Sequence, residues 1–127
     1  MNWFEVVVGA AYEVSNTLGC GFLERVYRRG MARELAIRGV ACETEVRYEI
    51  RYKGGVIGEY FADLIVDGRL VVELKCVEQF GNEHLAQCLN YLKASGLRTA
   101  LLINFQRPKV EWRRIVSRFQ FTFIDVH

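Results

Sequence analysis

Apolar residues in the first part of the chain recur at helical spacing. Positions 4, 8, 11 and 18 are apolar, and Asn2 stands before them as an N-cap with Glu5 at the capping-box position. The run Leu-Gly-Cys-Gly at 18–21 ends this predicted helix. A second helix is predicted from about Phe22 to Ile37, because an arginine and a glycine at 38–39 form a C-terminal stop.

From residue 42 the period changes from helical to alternating. Apolar positions alternate with Glu and Arg between Cys42 and Tyr52, which is typical of a strand with one exposed face. A Lys-Gly-Gly turn at 53–55 leads into a second strand from about Val56 to Ile65. After a turn at 67–68, a third strand is predicted over residues 70–77. We therefore expect an antiparallel meander of three strands.

The second half of the chain predicts a helix between two parallel strands. The helix runs from Asn82 to Ser95, and its apolar stripe at 85, 88, 89 and 92 would lie on the sheet. Residues 99–104 are apolar enough for a buried strand, which can pair parallel to the third strand because a helix crosses the sheet before it. The tail, 110–123, is expected to add another strand. The pattern predicts one α/β domain over residues 1–127, with a mixed sheet flanked by helices.

The composition supports a single compact domain. Of the 127 residues, 51% are hydrophobic and 25% are charged, and this balance excludes a disordered or fibrous chain. The four cysteines are scattered without a Cys-x-x-Cys pair, so buried thiols are favoured over a zinc site or a disulfide framework. The N-terminal segment lacks the features of a secretory signal and no apolar run is long enough to span a membrane, so we expect a cytoplasmic protein.

A net charge of +2 is too small to predict nucleic-acid binding from composition alone. Any such surface must be local, and a basic cluster near the C-terminus is the best candidate. Its members are Arg107, Lys109, Trp112, Arg113 and Arg114, with Arg118 and Phe119 beyond them. Basic side chains here could follow a phosphate backbone while aromatic rings stack on a base. The alternative is an ordinary solvated face of a strand or helix.

The most informative stretch is the third predicted strand, Leu-Val-Val-Glu-Leu-Lys at 70–75. Glu73 and Lys75 are an i, i+2 pair on one face of an otherwise apolar strand. Charges on a central strand must be paired, bound to a metal or open to a cleft, because burying them without a partner costs several kcal/mol. The alternative is a surface pair on a sheet with one solvated side.

Asp63, on the preceding strand, makes a site more plausible if it shares a face with Glu73. A two-residue loop at 67–68 would set Asp63 opposite Val72, on the wrong face. A three-residue loop at 66–68 sets Asp63 opposite Val71 and diagonal to Glu73, with Gly68 at the left-handed position. We predict the three-residue loop. Asp63 and Glu73 on opposite faces would exclude the site.

Two carboxylates converging from neighbouring strands suit a hard divalent cation such as Mg²⁺ or Mn²⁺. Asp63 and Glu73 would be ligands, and water and the carbonyl of Leu74 would complete the shell. Lys75 would then lie beside the reacting water, where its ammonium group positions the nucleophile or stabilises charge in the transition state. This chemistry cleaves phosphodiesters.

Several motifs together resemble a known family. Residues 21–27 read Gly-Phe-Leu-Glu-Arg-Val-Tyr, a Gly-x-x-Glu-x-x-Tyr pattern. The other motifs, in chain order, are Ala-Asp-Leu at 62–64, Val-Glu-Leu-Lys at 72–75, Ala-Gln-Cys-Leu-Asn-Tyr-Leu-Lys at 86–93 and Leu-Leu-Ile-Asn-Phe at 101–105. This ordered set, which covers nearly the whole chain, resembles the GxxExxY proteins, a family assigned to the PD-(D/E)XK nuclease-like superfamily. The resemblance implies a restriction-endonuclease-like core.

The resemblance also implies roles for individual residues. Asp63 and Glu73 would be metal ligands, Lys75 the catalytic lysine, and Glu24 an acidic helix residue that reaches the metal directly or through water. The alternative for Glu24 is a surface carboxylate paired with Arg28.

Gln87 and Tyr91 match a Gln-x-x-x-Tyr helix motif found in one branch of the superfamily. They form an i, i+4 pair off the apolar stripe, so they could face a cleft. The alternative is an ordinary polar helix face. The chain departs from the family pattern at three positions, Cys20, Cys76 and Leu85, and none of these removes a proposed ligand.

The sequence therefore favours a metal-dependent nuclease acting on DNA or RNA. The alternative is a non-catalytic module that binds nucleic acid or protein on a nuclease-like fold. A third possibility is a homo-oligomer or a subunit of a larger complex. For that arrangement the alternating Phe119, Phe121 and Phe123 could supply an edge-strand contact, although packing in the core is the commoner use of such a pattern.

Overall fold

Two helices open the chain in this computed structural model, which describes residues 2–118 and 121–126 and the side chains of residues 2–117. Helix α1 (Trp3–Leu18) begins where the Asn2 side chain accepts a hydrogen bond from the Glu5 amide at 3.3 Å, as predicted. Helix α2 (Glu24–Ile37) follows the glycine-rich break. Among the described residues, no helix has the length and apolar character needed to cross a membrane.

Six strands form one mixed sheet, with a third helix, α3 (Asn82–Ser95), between the third and fourth strands. The strands are β1 (Cys42–Tyr52), β2 (Gly55–Val66), β3 (Leu70–Lys75), β4 (Thr99–Asn104), β5 (Glu111–Arg118) and β6 (Phe121–Val126). They lie side by side in chain order. Strands β3 and β4 pair in parallel, as predicted, and the other neighbours are antiparallel.

The sheet separates two cores because alternate residues of its central strands point to opposite faces. On one face, α1 and α2 cover residues such as Leu64, Val72 and Leu101. On the other face, α3 covers Ile65, Val71, and their neighbours in β4 and β5. Both faces of β3 and β4 are buried, which explains why these strands are almost continuously apolar.

Two details of the predicted fold need correction. The β2–β3 loop has three residues, but they are 67–69 and not 66–68, because Val66 pairs with Leu70 and accepts a hydrogen bond from the Arg69 amide. Left-handed conformations at Asp67 and Gly68 make this loop possible. The tail forms two antiparallel strands, β5 and β6, where one strand was expected, because the apolar residues of 110–123 were taken as a single run.

Candidate functional site

Asp63 and Glu73 meet where β2 separates from β3. The two strands pair from Val66 to Leu64, and continuing this register sets Asp63 directly opposite Glu73. The Asp63 amide donates to Glu73 Oε1 at 3.4 Å, and Asp63 Oδ2 accepts from the Leu74 amide at 2.8 Å. The carboxylates therefore converge as predicted, although the expected diagonal arrangement, with Val71 opposite Asp63, is wrong.

An irregularity shared by β1 and β2 positions Asp63. The β1–β2 ladder is continuous on both sides of Glu45 and Asp63 but does not pair these two residues. Glu45 has a φ of 51°, a left-handed value that is rare for a residue in a strand. Ala62 packs on the α3 side and Leu64 on the α1–α2 side, so the alternation of β2 is broken at Asp63. This kink frees the Asp63 side chain to reach the Leu74 amide.

Glu73 is buried in the α3 face, with only 4% of its surface exposed. Burial, and to a smaller extent the neighbouring Asp63, raise the pKa of this carboxyl to about 9, although Lys75 opposes the rise. Two carboxylic groups this close cannot both ionise without a compensating cation. The pair therefore either holds a proton or neutralises a positive ion.

Arg28 is the cationic side chain that contacts Asp63. From α2 its guanidinium lies 3.3 Å from Asp63 Oδ1 and 2.7 Å from a Glu45 carboxylate oxygen. It thereby connects the two residues that flank the kink. The surface pair of Arg28 with Glu24 considered from sequence is not formed, because Arg28 turns toward the sheet. The helical spacing of Arg28 one turn after Glu24 is the signal that could have placed it near the site.

Lys75 follows Glu73 on the same face of β3 and is partly buried. Beneath α3, the Cys88 thiol is close enough to Glu73 and Lys75 for both to affect it, although burial is the main reason that its pKa rises to about 12. Burial likewise raises the pKa of Tyr91, with a smaller contribution from Glu73. Lys75 and Tyr91 thus both lie on the α3 side of the sheet, near enough to Glu73 for their charges to interact.

Comparisons with known proteins identify the family and the fold. A family model described as the PD-(D/E)XK nuclease superfamily matches residues 1–115. The chain belongs to that superfamily. A solved structure titled "Crystal structure of SSO0001" matches with a TM-score of 0.58 and 21% identity, over 93% of this chain and 59% of that one. No curated protein matches the chain significantly. The structural match supports the superfamily fold, and this chain spans only part of the matched protein.

The three motif residues of the segment 21–27, Gly21, Glu24 and Tyr27, each have a different structural role. Gly21 has a φ of 108°, which a residue with a side chain rarely adopts. Glu24 accepts a hydrogen bond from the Cys76 amide at 3.3 Å, just beyond the end of β3. The Tyr27 hydroxyl donates to the Gly19 carbonyl at 2.7 Å and accepts from the Phe22 amide at 3.3 Å. Through Glu24 this segment therefore connects the start of α2 to the end of β3.

Gln87 and Tyr91 are one helical turn apart but differ in their surroundings. Gln87 is exposed. The Tyr91 ring stacks on Tyr60 with 4.0 Å between ring centroids, and Tyr60 stacks in turn on Tyr48 at 5.2 Å. The Tyr60 hydroxyl also donates to the Tyr91 carbonyl at 2.9 Å. A row of three tyrosines therefore leads from the β1–β2 hairpin to the acidic pair, which sequence reasoning missed.

The basic cluster predicted near the C-terminus does not form one surface. Because β5 alternates, Trp112 and Arg114 contact Phe4 of α1 while Arg113 lies over Phe80 on the opposite face. The Trp112 ring is partly buried against the α1–α2 core, and its stacking on a base stays a prediction.

The loop before β5 carries the remaining described members of the cluster. Arg107 donates to the Glu78 carbonyl at 3.0 and 3.2 Å and lies 3.7 Å from Glu111, and Lys109 is exposed. Phe119 and the side chains of Arg118, Phe121 and Phe123 lie outside the described residues.

The acidic pair fits a divalent cation that keeps most of its water. In the part of the chain that the structure describes, no three His, Cys, Asp or Glu side chains form a metal cluster. A small hard cation such as Mg²⁺ commonly binds one or two protein carboxylates and several waters. Burial is the main cause of the raised Glu73 pKa and repulsion by Asp63 is the second, and such a charge would relieve this repulsion. The carboxylates of Asp63 and Glu73 are therefore compatible with such an ion. Glu24 is not counted among these ligands, because it accepts a hydrogen bond from the Cys76 amide.

Proposed function

We propose that this protein is a divalent-cation-dependent nuclease that hydrolyses phosphodiester bonds of DNA or RNA. The observation that carries the proposal is the convergence of Asp63 and the buried Glu73, with Lys75 on the same strand face. Membership of the PD-(D/E)XK nuclease superfamily supports it. The ordered motifs further support assignment to the GxxExxY family within that superfamily. The Gly-x-x-Glu-x-x-Tyr segment at 21–27 is the one that gives this family its name.

Asp63 and Glu73 would hold Mg²⁺ or Mn²⁺ together with the Leu74 carbonyl. The Leu74 amide points toward Asp63, and the N–H and C=O of one strand residue point to the same side, so the carbonyl faces the same space. A bound cation would supply charge neutralisation at a phosphate oxygen and lower the pKa of an adjacent water. Glu24 would orient the end of β3 through the Cys76 amide and contact the cation only through water.

Lys75 would orient the attacking water and stabilise negative charge on the phosphate in the transition state. Its ammonium extends from the same face as Glu73, and its backbone is fixed because its carbonyl accepts from the Phe105 amide at 2.9 Å. Tyr91, whose ring is fixed by Tyr60, would position the substrate beside this group. Gln87 would contact the substrate from its exposed place on α3.

Arg113 lies in one row with the acidic pair across the sheet. Glu73 pairs with Leu102, and Leu102 pairs with Arg113, so Arg113 is two strands from Glu73 on the same face. Two strand spacings correspond to about 10 Å, which is within reach of a neighbouring phosphate for a long side chain. Arg107 and Lys109, on the β4–β5 loop, would extend this contact to the substrate backbone.

Cleavage of labelled single- and double-stranded DNA and RNA, with Mn²⁺ or Mg²⁺, tests the proposal. Wild-type protein should cleave at least one substrate, and Asp63→Ala and Lys75→Ala should each lose the activity. Arg29→Ala is the matched control, because Arg29 lies on the exposed side of α2. A wild-type protein that neither binds Mn²⁺ nor cleaves would exclude the nuclease and leave a non-catalytic binding module on the same fold.

A further inference from the structure

Strand β1 presents an unpaired edge. It is the first strand of the sheet, and no other strand within the described ranges pairs with its outer side. Its ladder with β2 is regular from Val46 to Ile50, between the kink at Glu45 and a bulge beyond Ile50. A regular strand with free backbone groups is a template for the addition of another strand.

The side chains of β1 alternate in chemistry as well as in direction. Arg47, Glu49 and Arg51 carry charge on one face, and Glu45 joins this face because it pairs with Arg28 of α2. The opposite face is apolar or aromatic, with Val46, Tyr48, Ile50 and Tyr52. The charged residues remain largely exposed, from 36% for Glu49 to 60% for Glu45 and Arg51. Each has a partner of opposite charge within the chain, since Glu49 lies 3.3 Å from Arg51 and 3.8 Å from Arg47. Because such exposed pairs are weak, the side chains can also pair with a strand added at the edge.

We propose that a second copy of this chain adds to the outer edge of β1, antiparallel, with Tyr48 on the two-fold axis. In this register Arg47 faces Glu49 of the second copy within the regular segment, and Glu45 and Arg51 lie opposite each other just beyond its two ends. Every opposed charge therefore has the opposite sign. On the other face Val46 meets Ile50 and Tyr48 meets its own counterpart. The strand is thus complementary to itself in both charge and hydrophobicity.

Neighbouring registers lack this complementarity. Centring the two-fold axis on Glu49 would oppose Arg47 to Arg51, and centring it on Arg47 would oppose Glu45 to Glu49. An axis between two residues would set charged side chains against the apolar face, because residues on opposite faces would then be partners. The charge pattern therefore selects the Tyr48-centred register.

Sedimentation equilibrium from micromolar to millimolar concentration tests the association. The wild-type protein should form dimers, and Arg47→Glu should raise the dissociation constant by about tenfold, because both Arg47–Glu49 contacts between the copies become repulsive. Arg29→Glu, which makes the same charge change on α2, should leave the constant unchanged. A wild-type protein that stays monomeric at every concentration would overturn the proposal.

Cysteine cross-linking tests the register without depending on the strength of ion pairs. Opposed residues of an antiparallel pair have Cβ atoms about 4.5–5.5 Å apart, and a small movement brings the closer pairs to the roughly 3.5–4.5 Å of a disulfide. Arg47→Cys and Glu49→Cys proteins, each also carrying Cys20→Ser, should cross-link to each other when mixed and much less when oxidised separately. Peptide mapping should assign the bond to residues 47 and 49. A dimer in which this pair fails to cross-link would assemble through another surface and contradict the proposal.

Discussion

Asp63 and Glu73 lie opposite each other across two strands, and the Asp63 amide is 3.4 Å from Glu73 Oε1. The carboxyl of Glu73 is buried while Asp63 also contacts the Leu74 amide and Arg28. The backbone contact alone would favour an ionised Glu73, but burial and the second carboxylate outweigh it. The acidic pair is therefore a site whose stability depends on protons and cations.

The first prediction concerns the pH dependence of the metal-free protein. The pKa of Glu73 in the folded state, about 9, is above its ordinary value of 4.5, so folding favours the protonated form. This contribution is complete below the ordinary pKa and is lost as pH rises toward 9, at up to about 1.4 kcal/mol per pH unit. Glu73→Gln, which is neutral at every pH, should remove this part of the decline.

Urea denaturation in EDTA at pH 5 and pH 8 would measure this loss of stability. The free energy of unfolding should fall more between these values in the wild type than in Glu73→Gln, with Glu83→Gln, an exposed residue of α3, as the control. Equal declines in the wild type and Glu73→Gln would show that Glu73 is ionised in the folded protein.

The second prediction separates binding of the cation from chemistry. Mn²⁺ should stabilise the wild type by about 2.7 kcal/mol at a concentration one hundred times its dissociation constant. Asp63→Ala should abolish this stabilisation because it removes a ligand. Lys75→Met should keep it, because the ammonium group is no ligand, and should still lose cleavage by a factor of at least about one hundred.

Thermal denaturation with and without Mn²⁺, together with the cleavage assay, would check this. If Lys75→Met lost stabilisation by Mn²⁺ to the same extent as Asp63→Ala, the distinct roles assigned to the two residues would be wrong.

The third prediction concerns Arg28. Its guanidinium lies 3.3 Å from Asp63 and carries the same sign of charge as a metal ion, so it competes for that carboxylate. Arg28→Met keeps a long side chain and removes the charge. It should tighten Mn²⁺ binding severalfold, as measured by isothermal titration calorimetry, whereas Arg29→Met should have no effect. Weaker binding in Arg28→Met would mean that orientation of Asp63 by Arg28 matters more than repulsion.

Much of this arrangement follows from periodicity in the sequence. The bounds of α1, β1, α3 and β4 match the predictions because their apolar patterns are long and end at strong capping or turn residues. The shared face of Asp63 and Glu73 was also predicted, because side-chain direction depends only on whether the register is odd or even.

Other features could not be read from a local pattern. Apolar and charged residues alternate regularly over 46–52 even though the strand is kinked at Glu45 and Asp63. The kink therefore cannot be predicted from the alternation that predicts β1. Arg28 forms its ion pairs with residues of two strands that are distant in sequence. Charge spacing within the helix suggests only Glu24 as a partner of Arg28, so these pairs could not be predicted. The basic cluster looked continuous because neighbouring residues in a sequence lie on opposite faces once they form a strand.

The fourth prediction concerns Tyr27, which is fully buried and stacks on Phe105 with centroids 4.5 Å apart. Tyr27→Phe keeps the ring and removes the hydroxyl that joins Gly19 to Phe22. It should destabilise the protein by about 1–3 kcal/mol, because two hydrogen bonds, each worth about 0.5–1.5 kcal/mol, are lost. Urea denaturation would measure this, with Tyr12→Phe as an exposed control.

Cleavage by folded Tyr27→Phe should stay near the wild-type rate, because the hydroxyl contacts the loop and not the acidic pair. A protein of normal stability but without activity would instead place this tyrosine in the chemistry.

The fifth prediction uses the alternation of β5 to test which face binds nucleic acid. Arg113 and Arg114 are adjacent in sequence, yet Arg113 lies over Phe80 on the α3 face and Arg114 over Phe4 on the opposite face. If the substrate crosses the face that carries Glu73, Arg113 can contact its phosphates and Arg114 cannot. Arg113→Gln should weaken binding, and the slope of log affinity against log salt concentration should decrease in magnitude by about one. Arg114→Gln removes the same charge from the other face and should leave that slope unchanged. Fluorescence anisotropy with labelled oligonucleotides in Ca²⁺ would measure both, and a larger effect at Arg114 would move the nucleic-acid interface to the α1 side of the sheet.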